Sequence, residues 1–326
     1  MLGSALGGGF YTGPMSTEPM VIGICTYNRG KKIRATLDAL AKLENPGGRI
    51  SRIVLVNNAS TDDTPSEIDR FIASGPPIPV VRIDEPSPGK IAALLTLFAR
   101  TDEPLLALTD DDTVPEPGWA RGMLEVFDAS PKAGVVGGPV INVWESGPTR
   151  IAKIYRNSLG DYERPGGPHR VDAPDQFVIG ASMGVRRAAL VASGWLDGCI
   201  LEARTGSKLE CGAEDAEVCI RVRQAGWDVW YEPLAAVGHL IPASRQTPEY
   251  LARLRGAICR GEPKLKWLAA GRPGGDWASR PARRARKLWL KTMLFDWRPT
   301  RRKIRLAERA GKREGWEALD QMLRQT

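Results

Sequence analysis

The sequence predicts an α/β fold: a Rossmann-like, mostly parallel central sheet flanked by helices, with a basic helical C-terminal extension. Three observations carry that prediction. From residue 18 onward, short apolar runs alternate with stretches whose apolar residues recur every three to four positions. Polar clusters follow the apolar runs, where a parallel sheet gathers its ligand-binding loops. In 326 residues no apolar run reaches the ~18 needed to span a bilayer; the longest, 91–99, is broken by Thr96.

Taken in order, residues 1–17 are glycine-rich and read as a flexible leader, without the basic n-region of a secretory signal. Residues 21–25 form the first apolar run. After a polar loop, Ile33, Leu37, Leu40 and Ala41 mark one helix face. Residues 53–56 give a second strand. Thr64, Pro65 and Glu67 then read as N-cap, N1 and N3 of a helix, with a capping box. A third strand is expected at 80–83, a helix from Ser87 to about Arg100, a fourth strand at 105–108, a helix marked by Trp119, Met123, Val126 and Phe127, and one strand over 135–140. Residues 142–176 are too rich in glycine, proline and polar groups for core and read as a long loop. Later elements are a strand at 177–179, helices near 187–192 and 214–225, and strands near 229–231 and 235–237, with helical pattern beyond Arg245. This divides the chain into the leader, a domain over 18–245 whose nucleotide-binding part is about 18–112 and acceptor-binding part about 113–245, and a helical extension over 246–326.

Composition narrows the function classes. Hydrophobic residues make up 42% and charged residues 26%, as in an ordinary globular chain. Five cysteines, odd in number and without C-x-x-C spacing, suit buried thiols in a reducing cytoplasm. Net charge is +8, but residues 280–313 alone carry +12, which leaves the rest of the chain at −4. The high pI therefore describes a tail and gives no reason to expect nucleic-acid binding. Within that tail Trp289, Leu290, Met293, Leu294 and Trp297 recur at helical spacing. Such a segment suits either an anionic membrane surface, which would make the protein peripheral at the inner face, or packing against the rest of the molecule.

Several clusters could carry chemistry. Asp110, Asp111 and Asp112 directly follow the fourth apolar run. Three adjacent carboxylates repel one another, and a hard cation such as Mg²⁺ or Mn²⁺ would relieve that repulsion while leaving positions open for phosphate oxygens. A solvated turn opening the next helix is the alternative. His239, one of two histidines, follows an apolar run and could complete a metal's ligands, with Asp112 and Asp110, or be structural. Glu214 and Asp215 open a helix, where its field favours negative charge. The same field would keep a general base ionised. Thr26, Tyr27 and Arg29 end the first strand, and Asn57, Asn58 and Asp62 follow the second, where they could hold a base and ribose. Gly89-Lys90 opens the third helix, where amides and an ammonium suit a phosphate.

The series ICTYNR, LVNNASTDDT, LLALTDDDTVPEPGW, GASMGVRRAAL and GAEDAEVCIRVRQAGWDVWYEP, followed by AAVGH, resembles glycosyltransferase family 2 over about residues 19–239. The resemblance implies the GT-A fold, a nucleoside-diphosphate sugar as donor, Mn²⁺ or Mg²⁺ as cofactor and inversion at the sugar. It implies a nucleotide site lined by Thr26, Tyr27 and Arg29, a D-x-D-type metal motif at Asp110–Asp112, Asp215 as catalytic base with Glu214 as rival, and His239 on the metal or diphosphate. Asn57 stands where the family usually has an acidic residue, which moves base or ribose recognition towards Asp62. The Q-x-x-R-W motif of processive synthases is absent, since Gln246 is followed by Thr247-Pro248-Glu249-Tyr250. The expected reaction is therefore transfer of a single sugar to an acceptor hydroxyl on a glycan, a lipid-linked group or a cell-envelope polysaccharide precursor. Competing readings are a nucleotidyltransferase, which would release pyrophosphate, and an inactive nucleotide-sugar-binding protein.

Overall fold

The computed structural model describes residues 17–201, 213–274, 277–279, 281–282 and 299–325. The expected hydrophobic segment 289–297, half of the basic stretch 280–313 and nearly all of the leader lie outside the described residues.

β1 (Met20–Thr26), β2 (Ile50–Asn58), β3 (Val80–Glu85) and β4 (Leu105–Asp110) form a parallel block in the order β3-β2-β1-β4. Met20, Val21, Ile22 and Ile24 of β1 are fully buried. A strand covered on both faces needs a continuous apolar run rather than an alternating one. Beyond β4 the sheet continues through β9 (Ser182–Arg186), β6 (Ala133–Gly137), β10 (Asp228–Tyr231) and β8 (His169–Arg170). β9 is antiparallel to both β4 and β6, and β10 runs parallel to β6. The helices α1 (Arg34–Leu40), α2 (Thr64–Ala73), α3 (Lys90–Ala99) and α4 (Trp119–Ala129) are the crossovers of the parallel block and its neighbour. α4 is fixed at its start by Trp119, fully buried, whose indole N–H donates to Ser182 Oγ at 2.9 Å.

Four sequence expectations are corrected. Residues 135–140 are two strands, β6 and β7 (Val140–Trp144), in different sheets. Gly138-Pro139 divides them, and a Cβ on Gly138 would lie 2.0 Å from the Ala235 carbonyl oxygen. Residues 177–179 are not a strand; pairing starts at Ser182. The strand expected at 235–237 is β11 (Val237–Ile241), which pairs with β7 and with β5 (Thr113–Pro115) in a small second sheet. The loop expected at 142–176 holds α5 (Arg150–Ile154), whose first turn is capped by Thr149 Oγ1 accepting the Ala152 N–H at 3.2 Å.

α6 (Arg187–Ala192) and α7 (Glu214–Gln224) complete the domain's helices, and α7 packs on α8 (Pro248–Ala269). α8 lies against α9 (Pro299–Gln325). The pairs Lys303–Glu249, Arg255–Glu308 and Arg260–Glu314 show that the two helices run parallel. Their backbones meet closely: a Cβ on Gly311 would fall 2.0 Å from the Gly256 carbonyl oxygen, and one on Gly315 2.2 Å from that of Arg260. Leu251, Ala252 and Ile304 share a buried cluster with Ala152, Leu159 and Ile241. The described part of the C-terminal extension is thus packed on the rest of the molecule. No helix among the described residues is long and apolar enough to cross a membrane.

Candidate functional site

The loop after β1 sets the first group of side chains. Asn28 holds a left-handed backbone (φ 49°), as does Ala59 in the loop after β2 (φ 54°). The loops are bonded to each other: Asn28 N–H donates to Ser60 Oγ at 3.0 Å, and Thr61 N–H donates to Asn28 Oδ1 at 2.8 Å. Arg29 and Gly30 N–H both donate to Thr64 Oγ1, each at 2.8 Å. Thr64 is therefore not the expected N-cap of a capping box. It is the first residue of α2, and its hydroxyl serves the neighbouring loop.

The acidic triplet fans out from the end of β4. Asp110 Oδ1 lies 3.3 Å from Lys90 Nζ. Asp111 is buried and accepts from Arg29 Nε at 2.7 Å. Asp112 accepts from Arg29 at 2.8 Å and from Arg245 at 2.8 Å. Burial alone would raise Asp112, but His239, Arg245 and Arg29 hold it well below the usual carboxylate range. Burial and the neighbouring Asp112 charge push Asp111 the other way, to about 6 in spite of Arg29.

His239 sits inside β11 rather than after a strand. A carbonyl can only accept, so the contact of His239 Nδ1 with Leu159 O at 2.9 Å places a proton on Nδ1. Nε2 lies 3.5 Å from Asp112 Oδ1 and 3.4 Å from an Arg245 nitrogen. Arg245 reaches both groups, one terminal nitrogen on Asp112 and the other beside Nε2. An imidazole nitrogen and a carboxylate oxygen form part of a Mn²⁺ or Mg²⁺ donor set that leaves room for phosphate oxygens. Among the described residues no three His, Cys, Asp or Glu side chains converge on one point, and Asp110 is turned towards Lys90 rather than towards Asp112.

Across from the triplet, α7 presents Glu214 and Asp215. Glu214 Oε1 is 2.7 Å from Lys90 Nζ, so Lys90 ties Glu214 to Asp110. Burial would lower Lys90, yet the Asp110 and Glu214 carboxylates hold it well above its ordinary value. Asp215 accepts from Gly180 N–H at 3.0 Å and from its neighbour Ala216 N–H at 2.7 Å. Burial, and then the Glu214 charge, push Asp215 up to about 6. A carboxyl near 6 that is still mostly ionised at pH 7 is suited to accept a proton.

These groups line one cleft of about 720 Å³. It brings together Thr26, Tyr27, Arg29, Asn58, Lys90, Asp110, Asp111, Asp112, Glu214, Asp215 and His239. Asn57 and Asp62 are not in its lining: Asn57 Nδ2 donates to Asp84 at 2.7 Å, and Asp62 Oδ1 accepts the Thr64 N–H at 3.0 Å. Asn58, instead, donates to the Ser87 carbonyl and accepts the Gly89 N–H at 2.7 Å, which fixes the approach to α3. Sequence reasoning missed Arg245 and the α8 face bearing Tyr250, Leu254 and Ile258, all of which line the cleft. The only signal for Arg245 is a cation six residues beyond His239.

Residues 21–192 match the family described as Glycosyl transferase family 2. The chain is 29% identical over 137 residues to the glucosyl-dolichyl phosphate glucuronosyltransferase of Haloferax volcanii, covering 41% of this chain and 42% of that protein. It is 28% identical over 231 residues to the pre-mycofactocin glycosyltransferase of Mycobacterium tuberculosis, covering 70% of this chain and 44% of that protein. The chain thus matches less than half the length of either relative. Its fold is similar to that of the mannosyltransferase PcManGT from Pyrobaculum calidifontis, solved with GDP-Man and Mn²⁺, with TM-score 0.55, 17% identity and coverage of 93% and 87% of the two chains. It also resembles S. aureus TarS 1-349, solved with UDP-GlcNAc, at TM-score 0.51 and 14% identity, with coverage of 93% and 92%.

Proposed function

The chain belongs to glycosyltransferase family 2, and from that premise we propose that it transfers a single sugar from a nucleoside-diphosphate sugar to an acceptor hydroxyl, with inversion at the anomeric carbon. The observation that carries this reading is the convergence of the Asp112–His239–Arg245 group and the raised Asp215 carboxylate in one cleft.

Asp215 is the base. Its oxygen takes the acceptor's hydroxyl proton while the acceptor oxygen bonds to the anomeric carbon. The bond from that carbon to the diphosphate oxygen breaks on the opposite face, and the nucleoside diphosphate leaves with the electron pair. No second carboxyl is required as acid, unlike in a glycosidase. Glu214, ion-paired with Lys90 at 2.7 Å, holds the helix start and is not the base. Arg29, Arg245 and Lys90 face the diphosphate, and Thr26, Tyr27 and Asn58 the nucleoside. A Mn²⁺ or Mg²⁺ ion held by Asp112 and His239 would neutralise charge on the departing diphosphate, an effect of several kcal/mol, roughly, on the barrier. The solved complexes of PcManGT with GDP-Man and Mn²⁺ and of TarS with UDP-GlcNAc support a ligand set of this class.

The test is nucleoside-diphosphate release from a panel of UDP- and GDP-sugars with Mn²⁺, for the wild type and Asp215→Asn. Release that requires Asp215 is expected. Pyrophosphate as product would mean nucleotidyl transfer instead, and no consumption of any donor would mean a binding protein. Peripheral attachment to an anionic membrane through 280–313 is a separate part of the reading. Co-sedimentation with phosphatidylglycerol vesicles should fall when Arg283, Arg284, Arg286 and Lys287 are changed to Glu, and equal sedimentation removes the membrane role.

A further inference from the structure

One wall of the cleft is formed by α8. Leu254, Ala257, Ile258 and Leu265 of α8 line the cleft, as do Phe177 and Ile179 in the segment that leads to Gly180 and the Asp215 carboxylate. Leu254, Ile258, Leu265, Phe177 and Ile179 are all half-buried, with carbon left facing the cleft. Arg255 and Glu262 also line the cleft, and each is paired with a residue of α9. Arg255 gives its Nε to Glu308 of α9 at 2.6 Å and a terminal nitrogen to Ser158 at 3.2 Å. Glu262 pairs with Lys312 of α9 at 3.1 Å. The cations left facing the cleft, Arg29, Lys90 and Arg245, are gathered at the triplet end.

We propose that the α8 wall binds the apolar aglycone of the acceptor: the reacting hydroxyl belongs to a molecule carrying an alkyl or aryl group next to its sugar or alcohol, not to a free hydrophilic sugar or an anionic one. The inference rests on the glycosyl-transfer reading and specifies its acceptor. Half-buried apolar side chains continuous with the base favour burial of carbon at that place. Among the described residues the one cation of α8 lining the cleft is Arg255, and it is already held by Glu308 and Ser158, which disfavours an anionic acceptor here. Continuity with the Asp215 end of the cleft fixes the occupant's direction, hydroxyl towards Asp215 and apolar group along α8.

The experiment measures equilibrium binding by ligand-observed NMR to the full chain, using octyl β-glucoside below its micelle concentration, phenyl β-glucoside, methyl β-glucoside and glucose 6-phosphate. Octyl or phenyl glucoside should bind at least tenfold more tightly than the other two; octyl alone points to a lipid source and phenyl alone to an aromatic one. Ile258→Asn, and independently Leu265→Asn, should raise the Kd of the preferred probe about tenfold and leave that of methyl β-glucoside in place, with thermal melts showing that each variant is folded. Equal binding of methyl glucoside or glucose 6-phosphate overturns the inference, as does an unchanged Kd in the folded variants. Donor turnover is read separately. If no nucleotide sugar is consumed while the octyl probe binds as stated, glycosyl transfer falls and the apolar subsite stands. If nucleoside diphosphate is released but methyl and octyl glucosides accelerate it equally, the subsite falls and glycosyl transfer stands.

Discussion

On the sheet-edge wall of the cleft, each carboxylate has a cation or an amide against it: Asp110 and Glu214 share Lys90, Asp111 and Asp112 share Arg29, and Asp215 has two backbone N–H donors. On the α8 wall Arg255 and Glu262 also line the cleft but are paired with Glu308 and Lys312 of α9, and the remaining α8 lining is mainly carbon. The first wall is built from loops at strand ends and the starts of α3 and α7, where charges can be brought close and buried because partners arrive from several elements at once. The second is one face of a helix, where specificity has to come from shape and apolar area. Charge on the first wall would set what leaves in the reaction, and carbon on the second what enters.

The largest effect expected is on the first wall. Asp215→Asn should lower kcat by about 10³-fold with donor binding retained, measured by steady-state kinetics and calorimetry. The same variant should be more stable than wild type at pH 7. Burial raises Asp215 from 3.8 to about 6, so folding favours its protonated form. That contribution is complete below about pH 4 and is lost as pH rises through 6. Above pH 6 the charged form costs about 3 kcal/mol, which the neutral asparagine does not carry. Melting curves should coincide near pH 4 and separate above pH 6; a variant less stable at pH 7 breaks the assignment. The wild-type kcat/KM should correspondingly fall below about pH 6.

Next in size, Asp112→Asn or chelation with EDTA should lower turnover by about 10²- to 10³-fold, with Mn²⁺ restoring only the chelated wild type. Activity indifferent to EDTA would remove the cation from the reading. On the other wall, Gly311→Val drives a side chain into the Gly256 carbonyl, where the nearest atom is backbone and cannot swing aside. It should cost about 3 kcal/mol in denaturant unfolding and, by displacing α8, raise acceptor KM more than donor KM. An equal rise in both would mean that the two walls are not separate devices. The smallest effect is Thr64→Val, which leaves the Arg29 and Gly30 N–H groups without their acceptor. A loss of about 1–2 kcal/mol is expected, with donor KM rising a few-fold.

What could be read in the sequence follows from the range of the interactions involved. The parallel block was legible because each apolar run is buried on both faces and the polar residues after it, the triplet among them, sit at strand ends; Glu214-Asp215 were legible as an acidic helix start. Thr64 was misread because its hydroxyl serves a loop 35 residues upstream, a choice that local pattern does not record. Asn57 was read as ligand-facing, but its side chain is tied to Asp84 on the neighbouring strand. Residues 135–140 read as one strand because Gly138-Pro139 looks like a minor interruption, whereas the close pass of Ala235 makes it a change of sheet. Arg245 and the α8 wall carried no motif. They meet Asp112 and the cleft only through the way α8 packs, and contacts between helices far apart in the chain leave a periodicity but no address.

The two bonds joining Asn28 to Ser60 and Thr61, with Thr64 gripping Arg29 and Gly30, make the loops after β1 and β2 one mechanical part. If Tyr27 and Arg29 take the nucleotide-binding role proposed for them, varying either alone would therefore do little to retune which nucleotide is accepted. The two segments have to be exchanged as a cassette, because a change on either side is transmitted to the other before it reaches the ligand.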